Sequence, residues 1–277
     1  MYPILKRQIL TPDVFLLEIS APFIAKKAQA GQFVIVVPTN KGERVPFTLA
    51  NWDQERGTIT LVIQVLGKTS ALLKEKNLKS LAHVSGPLGE PSNIDAHLKK
   101  VWVTGGGLGI AAMYPIMRAY HQNKAEVSSF LGYRTKSLVF WEEEIKSQCT
   151  HFSLSTNDGS QGEKGLITQS LKKALDNTKP SLMPQIIYTI GPLPMMKAVA
   201  DLTRTYSIKT IASLNPIMVD GIGMCGACRV TVNGQVRYAC IQGPEFDAHQ
   251  VDFDELIKRN AQFKEQEDLC YREFMQG

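Results

Sequence analysis

Over roughly the first third of the chain, apolar residues come in short alternating runs at Val14–Ile19, Gln32–Val37, Thr58–Gln64 and Leu81–Val84. Period-two alternation rich in β-branched residues and broken by turn formers predicts strands. Their spacing predicts a small antiparallel barrel over residues 1–97. Between residues 98 and 213 the rhythm becomes strand then helix. Strands are expected at Val101–Thr104, Val127–Leu131, Phe152–Ser155, Ile186–Ile190 and Lys209–Ala212. Helical periodicity lies between them at Ala111–His121, Leu138–Ser147, Leu166–Asn177 and Met195–Thr205. Such alternation predicts a parallel sheet with helices on both faces.

Residues 214–277 break both rhythms. A glycine- and cysteine-bearing loop comes first. A hairpin follows, with Arg229–Val232 and Gln235–Tyr238 flanking Asn233-Gly234, two residues that tolerate positive φ. The tail from Phe253 is charged and reads as helix. The fold class is therefore β plus α/β: an antiparallel barrel, a parallel-sheet domain and a small C-terminal module.

Composition narrows the function. At 277 residues, with 44% hydrophobic and 21% charged residues, the chain has the material for two globular domains and a module. The net charge of +5 is scattered, with no basic block longer than Lys99-Lys100 or Lys172-Lys173, which argues against nucleic-acid binding. The apolar stretch Val101–Met117 holds four glycines and Pro115, so it reads as strand, turn and helix, with no membrane insertion. The first ten residues lack the apolar core of an export signal, so a cytoplasmic location is expected. Five cysteines in such a chain do not suggest a disulfide framework, and three of them crowd near the C-terminus.

Thr104-Gly105-Gly106-Gly107-Leu108-Gly109 follows the first strand of the α/β section and opens a helix. Glycines let backbone approach a phosphate, and a helix start supplies free N–H groups and a positive dipole end. The turn therefore reads as a dinucleotide site, with a bare strand–helix turn as the plain alternative. Gly191-Pro192-Leu193-Pro194-Met195-Met196 follows another strand and is expected to line the same crevice.

In the barrel, Arg44-Val45-Pro46-Phe47-Thr48 combines a guanidinium fork, a flat apolar ring and a hydroxyl, which suits a planar ring with a diphosphate tail. The plain alternative is an edge strand with one exposed arginine. Gly67-Lys68-Thr69-Ser70 precedes the apolar Ala71, Leu72 and Leu73. Thr69 or Ser70 reads as a helix N-cap, and the same helix start could hold phosphate with Lys68 adding charge.

The cysteine loop runs Asp220-Gly221-Ile222-Gly223-Met224-Cys225-Gly226-Ala227-Cys228, with Cys240 beyond the hairpin. The thiols match the last three positions of the plant-type [2Fe–2S] spacing, and Asp220 stands at the first. A carboxylate is a harder ligand than thiolate and would alter the potential of its iron. A zinc site drawing on His249 and a redox-active Cys225/Cys228 pair remain alternatives. Cys149 and Cys270 read as packing or surface thiols.

Taken in order, these motifs resemble the ferredoxin-NADP reductase superfamily. Within it, the chain is similar to the electron-transfer subunits of dihydroorotate dehydrogenase and sulfide dehydrogenase. Its likeness runs furthest toward the small subunits of NADH-dependent ferredoxin:NADP oxidoreductases, which are electron-bifurcating transhydrogenases. Asp220 in place of a first cysteine, Gly243-Pro244-Glu245-Phe246-Asp247 and Val251-Asp252-Phe253-Asp254-Glu255-Leu256 carry that last likeness.

The resemblance implies a barrel that binds FAD, a domain that binds NAD(H), with NADP(H) as the alternative, and a [2Fe–2S] module. Arg44 would hold the FAD diphosphate. Thr48 would bond near flavin N5, with Pro46 and Phe47 beside the ring, and Gly67, Lys68, Thr69 and Ser70 would cradle the diphosphate. Gly105, Gly106, Gly107 and Gly109 would hold the dinucleotide, with Gly191 and Pro192 at its nicotinamide end. Asp220, Cys225, Cys228 and Cys240 would ligate the iron pair.

Hydride exchange and single-electron steps are the implied chemistry. No convincing Ser-His-Asp or paired-carboxylate constellation stands beside these motifs. A larger flavin and iron–sulfur subunit is the implied partner, with ferredoxin reached only through it. Service to dihydroorotate, sulfide or glutamate-synthase-like chemistry is the alternative within redox proteins. A zinc-stabilised, non-catalytic binding module is the alternative outside them. Arg134 and Lys136, after the second α/β strand, are where a 2′-phosphate would sit, and Thr156-Asn157-Asp158-Gly159 also resembles a family stretch.

Overall fold

The computed structural model describes residues 1–276. Eight strands build the N-terminal part: β1 (Tyr2–Ile9), β2 (Val14–Ser20), β3 (Phe33–Val37), β4 (Val45–Thr48), β5 (Asn51–Asp53), β6 (Thr58–Gln64), β7 (Ser80–Leu81) and β8 (His83–Leu88). They pair as two antiparallel sheets, β5-β6-β2-β1-β7 and β4-β3-β8. Helices α1 (Pro22–Ala25) and α2 (Lys68–Lys74) lie between strands.

Alternation decides what each strand face meets. Phe15, Leu17 and Ile19 of β2 pack into the barrel core with Ile59, Leu61 and Ile63 of β6. Val14, Leu16 and Val62, on the opposite faces, join the core of the next unit. The barrel thus abuts its neighbour through the outer side of β2 and β6.

That neighbour is a seven-stranded sheet of order β12-β11-β10-β9-β13-β14-β17, whose edge strand β17 (Glu245–Asp247) is antiparallel to the six others. It comprises β9 (Lys100–Gly106), β10 (Glu126–Tyr133), β11 (His151–Thr156), β12 (Glu163–Lys164), β13 (Ile186–Ile190) and β14 (Thr210–Ser213), all parallel. Helices α3 (Gly109–Gln122), α4 (Glu142–Lys146), α5 (Ile167–Asn177) and α6 (Leu193–Thr205) connect them. Pro115 lies well inside α3, which starts earlier than its periodicity suggests. The expected helix over Leu138–Ser147 is instead a 3₁₀ turn at Lys136–Leu138 and the short α4. Trp141 adopts a left-handed backbone (φ 56°), and its ring packs on Tyr114 and Phe140, which breaks the helix.

The C-terminal part contains β15 (Arg229–Val232) and β16 (Gln235–Tyr238). Asn233 and Gly234 turn between them at φ 51° and 70°. After α7 (Ala239–Gln242) comes β17 (Glu245–Asp247), which joins β14 antiparallel and closes the edge of the parallel sheet. Helices α8 (Phe253–Asn260) and α9 (Lys264–Gln276) complete the chain. A third core ties this part to the rest: Phe33 and Ile35 of β3 and Leu193, Met196 and Ala200 of α6 surround Met218, Cys228 and Cys240. Among the described residues, no helix is long and apolar enough to cross a membrane.

Candidate redox site

The two glycine turns of the parallel sheet meet at its carboxyl edge. A side chain at Gly109 would place Cβ 2.2 Å from the Ile190 carbonyl oxygen, and one at Gly191 would place it 3.1 Å from Gly106 Cα. Only glycine allows β9, β13 and the start of α3 to come this close. Gly107 differs: its φ is 53°, it faces open space, and its N–H donates to the Gly132 carbonyl (3.0 Å). The same edge gathers the ends of β10 and β11. Asp158 N–H donates to the Arg134 carbonyl (3.3 Å), and Lys136 N–H donates to Ser160 Oγ (2.7 Å). Asp158 is held below the usual carboxylate range by hydrogen bonds from Ser160.

In the barrel, β3 and β4 define two faces. Phe47 lies opposite Val34 and is half-buried against the barrel core, on the face opposite to that of Pro46 and Thr48. Pro46 and Thr48 lie opposite Ile35 and Phe33 and share their face. That is the face on which the cysteine loop packs. A Cβ at Gly221 would meet Leu88 at 2.7 Å and Ile35 at 3.0 Å. The strand that carries Thr48 and the loop that carries the thiols are therefore in direct contact through β3.

At the start of α2 the helix N-cap is Gly67, not Thr69 or Ser70. Ser70 Oγ instead accepts from the N–H groups of Leu66 (2.9 Å) and Gly67 (3.0 Å). Thr69 donates to the Glu43 carboxylate, so an anionic group already stands at this helix start. Arg44 reaches across to the cysteine loop, where Nε donates to the Val219 carbonyl (2.8 Å).

Within the loop, the Asp220 carboxylate accepts from the N–H groups of Ile222 (3.0 Å), Met224 (3.0 Å) and Cys225 (2.6 Å). These bonds, that from Ile222 foremost, hold its pKa below the usual carboxylate range. Positive φ at Gly221 (75°), Gly223 (83°) and Gly226 (69°) lets the chain curl around it. Cys228 and Cys240 are buried side by side, with Cys240 N–H on Cys228 Sγ (3.4 Å). Burial, with the Cys228 thiol beside it, pushes Cys240 up to about 12. Cys225 is exposed.

Among the described residues, no three His, Cys, Asp or Glu side chains converge on a single point. The donor set nevertheless suits an iron–sulfur pair: a carboxylate and two thiols on one glycine-rich loop whose backbone N–H groups turn inward, and a third thiol, Cys240, brought beside Cys228 by α7. His249 is elsewhere. Its ring bonds Thr203 of α6 (3.0 Å), which leaves a zinc reading without its histidine.

Two groups went unread in the sequence. Arg118 of α3 donates to Asn51 and lies over the rings of Trp52 (4.9 Å) and Tyr114 (5.9 Å), which joins the barrel to the parallel sheet. Glu245 accepts from Ser92 Oγ (2.5 Å) where the barrel, the linker after it and β17 meet. Burial raises its pKa to about 7. The Gly-Pro-Glu-Phe phrase could have pointed to Glu245, whereas nothing local marks Arg118.

A barrel abutting a parallel nucleotide sheet, with a cysteine module packed between them, defines a flavin reductase of the ferredoxin-NADP reductase type. Residues 103–201 match the oxidoreductase NAD-binding domain, and residues 215–252 match the iron-sulfur cluster binding domain of dihydroorotate dehydrogenase B. A Thermotoga maritima protein described as a homolog of the dihydroorotate dehydrogenase B (NAD(+)) electron transfer subunit is 42% identical, over 98% of this chain and 95% of its own length. The electron transfer subunit itself from Bacillus caldolyticus is 30% identical over 88% of this chain and 95% of its own. A solved structure of an NADH-dependent reduced ferredoxin-NADP oxidoreductase superposes with a TM-score of 0.92 at 40% identity, over 99% of this chain and 98% of that one.

The chain belongs to the family of dihydroorotate dehydrogenase B electron transfer subunits and their homologues. It is an oxidoreductase subunit whose redox groups are NAD(H), FAD and an iron–sulfur cluster. The relatives from Thermotoga maritima and Bacillus caldolyticus are described as an electron transfer subunit homolog and an electron transfer subunit, so the proteins this chain resembles are parts of multi-subunit enzymes.

Proposed function

We propose that this chain is the small subunit of an NADH-dependent ferredoxin:NADP oxidoreductase, joined to a larger subunit that carries a further flavin and iron–sulfur clusters. The observation that carries the reading is Asp220. It heads the thiol loop where a four-cysteine site would have its first ligand, and its carboxylate is turned into the loop. Service to a dihydroorotate dehydrogenase is the second reading, favoured by the names of relatives and by the match at residues 215–252.

The division of labour follows 1–97, 98–213 and 214–277. Bound FAD would exchange a hydride with NAD(H) and single electrons with a [2Fe–2S] cluster, which couples a two-electron carrier to a one-electron carrier. The residues supply position and electrostatics. Thr48 and Pro46 present a hydroxyl and a rigid backbone to the flavin ring, on the face shared with Phe33 and Ile35. The start of α2, capped by Gly67, offers the N–H groups of Lys68, Thr69 and Ser70 and the Lys68 charge to the diphosphate, which would displace the Glu43 carboxylate from Thr69, with Arg44 as its guanidinium. Gly105, Gly106, Gly107 and Gly109 admit the pyrophosphate to the start of α3, and Gly191 and Pro192 close the nicotinamide side. Asp220, Cys225, Cys228 and Cys240 ligate the iron pair. Asp158, its carboxylate positioned by Ser160, disfavours a 2′-phosphate beside Arg134 and Lys136 and favours NAD(H) over NADP(H).

Anaerobic purification with the native partner tests this. Copurification of a flavin and iron–sulfur protein, with NADH and reduced ferredoxin together reducing NADP, is expected. A partner that oxidises dihydroorotate would select the second reading. A chain fully active alone as a transhydrogenase would reject the partnership.

A further inference from the structure

The backbone carbonyls of the cysteine loop are capped by side chains from three separate elements. Arg44, just ahead of β4, donates to Val219 (2.8 Å) and, more weakly, to Asp220 (3.4 Å). Arg229 of β15 reaches back to Gly226 (3.0 Å), and Arg259 in the last turn of α8 reaches Ala227 (3.3 Å). Asn260 donates to Asn215 (2.9 Å). The loop therefore turns N–H groups inward, three of them onto Asp220, and carbonyls outward onto guanidiniums. Among the described residues, none of the three arginines stands in an ion pair with a carboxylate. Their charge is not cancelled at close range.

We propose that Arg229 and Arg259 set the reduction potential of the iron–sulfur cluster by bracketing its loop with uncancelled positive charge, while Arg44, whose charge answers the diphosphate, ties the barrel to that loop. The proposal rests on the cluster assignment made above. With three thiolates, a carboxylate and two sulfides, the oxidised cluster is already anionic. Reduction adds one electron, supplied by reduced flavin, and makes or breaks no bond. Nearby positive charge stabilises the more anionic state more strongly, so the bracket raises the potential. The guanidinium bonds also polarise the peptides, which strengthens their N–H groups as donors toward sulfur. Arg259 is half-buried, whereas Arg229 is exposed and more screened by water, so Arg259 dominates.

The test is a redox titration followed by electron paramagnetic resonance, on reconstituted wild-type protein, R229Q, R259Q, the double variant, R229K and R259K. Arg44 is left unchanged because it also serves the flavin. The midpoint is expected to fall in R229Q, further in R259Q and furthest in the double variant, while the lysine variants stay near wild type. Glutamine variants with full iron and an unchanged midpoint would overturn the proposal. So would equal loss of iron from lysine and glutamine variants, which would make the bracket a purely mechanical brace. If R259Q alone fails to hold iron, R229Q decides: a lowered midpoint supports the proposal, and an unchanged one defeats it. Wild-type protein that never shows an iron-pair signal would remove the cluster assignment as well.

Discussion

Two glycine-rich loops in this chain are held in opposite ways. The nucleotide turn at Gly105–Gly109 is fixed by exclusion. A Cβ at Gly105 would sit 2.4 Å from Met113 Sδ, and one at Gly109 would sit 2.2 Å from a backbone oxygen. The cysteine loop is fixed by polar bonds. Its residues between Gly221 and Cys228 are largely exposed or half-buried, and its shape depends on Asp220 inside and on Arg44, Arg229, Arg259 and Asn260 outside. Close packing tolerates no added atom; the cysteine loop shares that limit at Gly221 and Gly223 but cannot bear loss of its hydrogen-bond partners either. A binding crevice that must keep one shape suits the first construction. A loop that must fold around an inorganic group suits the second.

The largest effect expected bears on the cysteine loop. Cys228→Ser removes a buried thiol beside Cys240 and should reduce bound iron to background, leaving FAD in place. Iron assay and visible absorption measure both, and a variant with full iron would show that Cys228 is not a ligand.

Gly109→Ala should be next. Its Cβ would strike the Ile190 carbonyl, and neither backbone segment can move freely, so a loss of about 3 kcal/mol and of NADH affinity is expected. Denaturant unfolding and NADH titration read this. A cost near zero would mean the turn is looser than its contacts.

Glu245 joins the parts that hold the two loops, and its effect depends on pH. Its carboxyl is raised to about 7 by burial, well above its value in an unfolded chain. Between those two values the folded protein holds a proton that the unfolded chain has released. Stability is therefore fully present below the unfolded value, falls as pH rises toward about 7, and is level above it. Glu245→Gln should flatten that fall and gain on the order of 2 kcal/mol at pH 8, read as a melting temperature that no longer drops across the window. An unchanged pH profile would show that Glu245 ionises normally.

Gly107→Ala sharpens the comparison most, because it lies in the tightly packed turn yet faces open space. Only its φ of 53° opposes a side chain, so about 1 kcal/mol is expected. If Gly107→Ala proved as damaging as Gly109→Ala, backbone strain and not crowding would govern the turn.

Much of this was legible in local pattern. Asn233-Gly234 specified a hairpin because both residues accept positive φ. The alternation of strand and helix specified a parallel sheet, and the crowding of Cys225, Cys228 and Cys240 after Asp220 pointed to the iron–sulfur module that the match at residues 215–252 supports. What failed locally has local explanations. The helix expected at Leu138–Ser147 broke because Trp141 gains more by packing on Tyr114 than by continuing the turn. The strand at Glu245–Asp247 is too short to carry a periodic signal and exists because it pairs with β14.

By itself, then, the sequence determined most of the elements, the glycine turns and the iron–sulfur character of the C-terminal module, since each depends on residues within a few positions of one another. Only the tertiary structure decided that β3 and β4 turn Pro46 and Thr48 toward the thiols while Phe47 turns inward. Only it could bring Arg44, Arg229 and Arg259 together around one loop. Those meetings join residues far apart in the chain, and their energies come from burial and hydrogen bonding that exist only after the parts have packed.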